Sequence, residues 1–239
     1  MKKSILSLLL VLVLSLTLAA AAGAESTADL ILGIGTAQSF SSDPVPDEDI
    51  RVILQAGASS VSAINQQPWF FVALTNRDLM AEIAGSGMSF GGKPDTLPDN
   101  VEMLPEAPEA ASEDGSSGTF SEKPVSFSGA KASLGDSPLA VIIYENEASK
   151  SPAPQFDCGL AAQNMRIAAA SLGYGVKIVS SPTMTLNGEM HDEICEKLGV
   201  DPSLKAVAVL LIGKTETDAD AVSSASVRDA LEIRSVVVH

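Results

Sequence analysis

Between Asp157 and Leu172 the chain carries a helical pattern with no polar side. Leu160, Ala161, Met165, Ile167, Ala168 and Leu172 spread almost all round the wheel, and Gly173 and Gly175 end it. A helix apolar on every side is expected to be buried on every side, so the remaining elements have to enclose it. Candidates for that enclosure follow from the same pattern reading. Trp69–Thr75, Leu139–Tyr144 and Lys205–Gly213 read as apolar strands, with Val176–Ser180 and Val236–Val238 as further short ones. Ile50, Ile53, Leu54 and Ala58 recur at helical spacing behind Pro46, with acids at Asp47, Glu48 and Asp49 in the first turn. Gly57 weakens that helix near its end. Asn76 predicts an N-cap for a helix over 77–84, stopped by Gly85. A further amphipathic helix is expected over 187–198, closed by Gly199. The sum is an α+β domain built around a central helix. Gly33-x-Gly35 lacks the third glycine and the preceding strand of a dinucleotide fingerprint.

The first 24 residues stand apart. Lys2 and Lys3 precede an apolar run from Ile5 to Leu18, and Ala22-Gly23-Ala24 supplies small residues before Glu25. This is the pattern of a secretory signal peptide, too short in its apolar part for a comfortable membrane span. No cysteine follows for lipid attachment and no twin arginine precedes the run, so Sec-type export to the periplasm or the exterior is expected. No stable membrane span remains after cleavage. Residues 25–239 then form one domain, a size that supports a single core. Within it, residues 86–137 are rich in Gly, Pro, Ser and acids, and read as a lid or partly disordered insertion. The formal charge is −15, and loss of Lys2 and Lys3 with the leader moves it to −17. So acidic a surface argues against nucleic acid as a partner. Cys158 and Cys195 could form a disulfide in an oxidising compartment, although Cys158 lies in the buried helix and reads as a small apolar residue. His191 and Cys195 are spaced i,i+4, but two ligands make no metal site, and none is expected.

The segment from Ser59 to Leu74 carries the chemistry. It opens small and polar, passes Asn65, Gln67 and Pro68, and runs into Trp69-Phe-Phe-Val. Asn and Gln each donate and accept hydrogen bonds, which suits the mixed edge of a planar heterocycle. Here the chain resembles the nitroreductase family of FMN flavoproteins, whose members carry a Pro-Ser-x-x-Asn-x-Gln-Pro-Trp-like loop before a strand. Val61 stands where the family often has Pro. The Asp157-Cys-Gly-Leu-Ala-Ala-Gln163-Asn164 helix is similar to the family's core helix, and Val227-Arg228-Asp-Ala-Leu231-Glu232 to its C-terminal Arg-x-Pro-Leu-Glu segment. One departure matters. The family's N-terminal Arg-Ser-x-Arg-x-Phe is replaced by Gly35-Thr36-Ala37-Gln38-Ser39-Phe40, without either arginine. Each charge-assisted phosphate contact is worth about 1.5–3 kcal/mol, so the loss weakens the cofactor's grip.

The resemblance implies a nitroreductase-like fold: a central sheet flanked by helices, with a buried core helix. It implies FMN as cofactor, held by Thr36, Gln38, Ser62, Asn65, Gln67 and Arg228. It implies a homodimer that passes electrons from a donor such as NAD(P)H to nitroaromatic, quinone or similar small acceptors in ping-pong fashion. No acid–base side chain is required, and no catalytic residue is assigned. The lost arginines, taken with export away from cytosolic cofactors, leave open a second reading, a non-catalytic module that binds a flavin or another planar ligand. A third makes the acidic 86–137 segment the working part, for partner binding.

Overall fold

The computed structural model of the chain describes residues 26–86 and 133–215. The leader, most of the 86–137 segment, the Val236–Val238 strand and Arg228 lie outside the described residues.

Helix α1 (Thr27–Gly33) opens the described chain, capped by Ser26, whose Oγ accepts from the Asp29 amide at 3.1 Å. Then come α2 (Asp47–Ala58), β1 (Trp69–Leu74), α3 (Arg77–Ser86), β2 (Leu139–Glu145), α4 (Pro154–Ser171), β3 (Gly175–Val179), α5 (Thr183–Leu186), α6 (His191–Leu198) and β4 (Lys205–Gly213). The four strands make one antiparallel sheet in the order β1-β2-β4-β3.

Antiparallel sheets often leave one face to solvent. This one does not: β2 is buried along its whole length. Successive side chains point to opposite faces, so Leu139, Val141 and Ile143 join Ile53, Cys158 and Met165, while Ala140, Ile142 and Tyr144 join Met80, Ile83 and Ile194. Helices α2 and α4 therefore cover one face, and α3, α5 and α6 the other. The α+β class and the flanked sheet read from the sequence are both present. Between Ile143 and Tyr144 the pairing with β4 slips by one residue. The bulge lets Val207 pack on the α2/α4 side while Val209 packs on the opposite side.

The central helix α4 begins at Pro154, three residues earlier than the apolar pattern marks, with proline in the first turn. Asp157, Cys158, Ala161, Ala162, Met165 and Ala169 are buried against the sheet and α2. Phe156 and Leu172 are exposed, and Leu160 and Ile167 only half-buried. One chain thus covers less of the helix than its all-round apolar wheel requires.

Three expectations change. The helix expected over 187–198 begins only at His191; Asn187 instead ends α5, and its side chain bonds the main chain of Ala206, donating to its carbonyl at 2.8 Å and accepting from its amide at 2.9 Å. Residues 133–137, read as the end of an insertion, belong to the folded core: Leu134 and Ser137 are buried, and Ser133 and Asp136 form a capping box. The disulfide is absent. Both cysteines are free and buried, and they sit in clusters on opposite faces of the sheet.

The N-terminal run is drawn alongside the sheet. The Ala37 amide donates to the Val176 carbonyl (3.1 Å) and the Ser41 amide to that of Lys214 (2.7 Å). Gly175 makes room for it: a Cβ there would lie 2.5 Å from Thr215 Cγ2 and 2.9 Å from Ala37 Cβ.

Candidate functional site

The loop joining α2 to β1 is built against ordinary backbone preference. After the extended Ser62, a single 3-10 turn spans Ala63–Asn65. Ile64, Asn65 and Gln67 all have positive φ, at 46°, 55° and 47°. Each non-glycine residue in that region costs about 1–2 kcal/mol, and a β-branched isoleucine is the worst suited of the three. Such a conformation persists only where its surroundings over-determine it.

The surroundings do so at several points. The Gln67 amide donates to Ser62 Oγ (2.9 Å), and Gln67 Nε2 donates to Asn65 Oδ1 (3.2 Å). The Lys150 amide donates to Gln66 Oε1 at 3.2 Å, and the Asn146 amide to the Pro68 carbonyl at 2.7 Å. From α4, the Asp157 carboxylate accepts from the Ala63 amide (3.1 Å) and from Ser151 Oγ (2.6 Å). The loop is held by its own polar side chains, by the turn after β2 and by the first turn of the central helix.

What it presents outward is small and polar. Asn65 and Gln67 are exposed and Ser62 half-buried. The Ser62 hydroxyl proton and the Asn65 amide nitrogen have no acceptor among the described residues. These are donors for the carbonyls and ring nitrogens of a flat ligand. Val61 and Ile64 project into solvent on either side of them, and Phe156 lies next in sequence to the Asp157 that grips Ala63.

Thr36 and Gln38 lie elsewhere. The Gln38 side-chain amide is turned back onto the Thr36 and Ala37 carbonyls, at 3.0 and 3.2 Å. A cation from α4 lies just before them: Arg166 Nη2 donates to the Ile34 and Gly35 carbonyls at 2.9 and 3.0 Å. The sequence reading missed both Asp157 and Arg166 as site-supporting residues. For Arg166 a charged residue inside an apolar helix was the available signal, whereas Asp157 reads as a first-turn acid. Asp157 and Arg166 are nine positions apart on α4, about 13 Å of helix. Within one chain, then, the carbonyls of residues 34–35 and the 62–67 loop attach to the central helix at points about 13 Å apart along it. Arg228 lies outside the described residues.

The nearby thiol is not a candidate nucleophile. Burial, reinforced by the charges of Glu145 and Asp157, pushes Cys158 up to about 12, so it stays protonated at neutral pH. Burial, followed by the charges of Asp192 and Asp201, likewise raises Cys195. His191, rather than lying on a free surface, has its ring nitrogens 2.7 Å and 2.9 Å from the Leu186 and Pro202 carbonyls. No cluster of metal-ligating side chains occurs among the described residues. An open depression of about 800 Å³ lies between α2 and β1, walled by Arg51, Leu54, Gln55, Trp69 and Phe71. Of the expected cofactor residues, the five that are described (Thr36, Gln38, Ser62, Asn65 and Gln67) do not line it.

The sequence model of the Nitroreductase family matches residues 36–214. A curated protein of Archaeoglobus fulgidus, named provisionally as an NADH dehydrogenase/NAD(P)H nitroreductase, is 24% identical over 184 residues, 76% of this chain and 80% of that protein. Among solved structures, a nitroreductase with bound FMN from Desulfitobacterium hafniense superposes with a TM-score of 0.64 at 18% identity, covering 91% of this chain and all of that one. A second, with bound FMN, from Bacteroides fragilis, gives 0.57 at 18% identity over 87% of this chain and all of that one. These superpositions establish the likeness of fold.

Proposed function

The chain belongs to the nitroreductase family, and from that membership we propose that it is an exported, homodimeric FMN-dependent oxidoreductase acting on nitroaromatic, quinone or similar small acceptors. The observation that carries the proposal is the strained, over-determined loop at 62–67, which offers the Ser62 and Asn65 donors at the surface. FMN, when bound, supplies the electron-transfer chemistry, and the protein supplies position and polarity. Ser62, Asn65 and Gln67 fit the ring edge, since their donors and acceptors match its alternating groups. Thr36 and Gln38 would meet the ribityl phosphate end, with Arg228 as a cation. Arg166 holds the main chain beneath that segment.

The homodimer draws support from two features. The ring-side and phosphate-side segments attach to α4 at separate points about 13 Å apart, so two copies can supply one site between them. The exposed Val61, Ile64, Phe156 and Leu172 also form apolar surface around that helix. Export draws support from the leader at 1–24. Exported product should begin at Glu25 by intact mass.

The deciding experiment is titration of the purified mature protein with FMN, followed by turnover with reduced nicotinamide and a quinone or nitro compound. Flavin binding with steady turnover supports the enzyme. Binding without turnover with any donor supports the ligand-binding module instead. A protein that takes up no flavin overturns both.

A further inference from the structure

Resting on that reading of the loop, we propose that Asp157 is a positioning residue for the cofactor: its carboxylate sets the conformation of residues 62–67 that presents Ser62 and Asn65 to the flavin ring. Asp157 is 2% exposed, at the start of the central helix, next in sequence to Cys158 of the apolar cluster and bonded to Ser151. A carboxylate is expensive to bury, and apolar side chains of similar volume would serve packing at least as well. Its two oxygens are both spent on hydrogen bonds, and one of them reaches 94 residues back along the sequence to the Ala63 amide.

That amide lies at a telling point. It falls between Ser62, whose side chain faces the proposed ligand, and Ile64, where φ turns positive. A bond to the amide of residue 63 fixes the peptide plane from which the 62–67 turn departs. The braces that come from other segments act on the far half of the loop: Lys150 on Gln66, and Asn146 on Pro68. Without Asp157 the near half keeps only the loop's own bonds, Gln67 to Ser62 and to Asn65, and is less firmly held against relaxation toward negative φ, which would carry the Asn65 side chain away from Ser62. Ser151 completes the arrangement. Its hydroxyl donates to Asp157 Oδ2 and accepts from the Ala153 amide at 3.2 Å, so the carboxylate is held in turn by the main chain at the start of α4.

Asp157→Ala removes both bonds. Asp157→Asn keeps an acceptor for Ala63 and turns an amide donor toward Ser151. The expected result is FMN affinity lowered by about tenfold or more in Asp157→Ala, the size of one charged hydrogen bond, and by less than about threefold in Asp157→Asn. The midpoint potential and visible bands of bound flavin should move with the affinity in Asp157→Ala and stay near wild type in Asp157→Asn. In the cofactor-free protein, amide exchange at Ala63 should be slow in wild type and Asp157→Asn and fast in Asp157→Ala. If Asp157→Ala does not fold, Ser151→Ala takes its place, with the same changes at smaller amplitude. Unchanged flavin affinity and unchanged Ala63 exchange in a folded Asp157→Ala protein would overturn the proposal. A wild type that binds no FMN at all, yet shows the Ala63 exchange difference, would overturn the flavin reading and leave the clamp on the loop standing.

Discussion

Met165 of α4 lies directly over Gly57 of α2, so close that a Cβ on residue 57 would fall 2.8 Å from Met165 Cγ and 3.2 Å from its sulfur. The two helices meet there because residue 57 has no side chain. Gly57→Ala improves helix propensity by about 1 kcal/mol, whereas overpacking a filled site costs about 1–3 kcal/mol. The expected net change is a loss of roughly 1 kcal/mol in urea unfolding. In a Met165→Ala background the same change should become stabilising, and the non-additivity measures the contact.

Asn65 separates side chain from backbone in the proposed site. Its φ of 55° suits asparagine and glycine and strains alanine. If the side-chain amide touches the flavin, Asn65→Gly and Asn65→Ala both weaken FMN binding, by about five- to tenfold. Asn65→Ala should in addition lower the melting temperature, while Asn65→Gly should not. Fluorescence titration and thermal unfolding together check both parts.

Tyr174 ties the end of the central helix to α2 through its hydroxyl, which donates to Asp49 Oδ2 at 2.5 Å. Burial first, then this bond and the charges of Asp49 and Glu48, push its pKa up to about 12. A raised tyrosine pKa favours the neutral folded form. Its contribution is complete below the unfolded value near 10 and is lost as pH climbs through 12. Stability should therefore fall over about pH 10–12, and the part of that fall removed by Tyr174→Phe is the measure of this bond.

Asn187 bonds to both main-chain groups of Ala206 at the start of β4. Asn187→Ala leaves that donor and acceptor without partners, at a cost of about 1–3 kcal/mol. Chemical denaturation should show a lower midpoint with an unchanged slope.

The sequence disclosed those parts of the fold that rest on local pattern. The apolar runs of β2 and β4 and the capped start of α3 are where periodicity and turn chemistry put them. The loop motif at 62–69 was equally visible, since residue types alone carry it. What stayed hidden depends on partners distant in the chain. Asn187 reads as a helix start until Ala206 is seen to capture it. Leu134 is a single apolar residue in a polar stretch, too isolated for any period to reveal. Asp157 reads as an ordinary first-turn acid, because its amide partner is fixed only when α2 and α4 pack. Arg166 likewise shows its target only once the N-terminal run is drawn along the sheet.

The tie between Ser41 and Lys214 sets an order on assembly. The central pairing, β2 with β4, joins residues near 140 to residues near 210, and the N-terminal run completes its docking, on Val176 of β3 and on Lys214 just past β4, only once residue 214 has been made. A nascent chain released as far as residue 200 holds a seven-residue apolar strand with just one possible neighbour, β1. Non-local pairings of this kind close slowly and leave sticky intermediates exposed in the meantime. Such a delay makes the interval before β4 is made the one in which β2 is most open to wrong pairing.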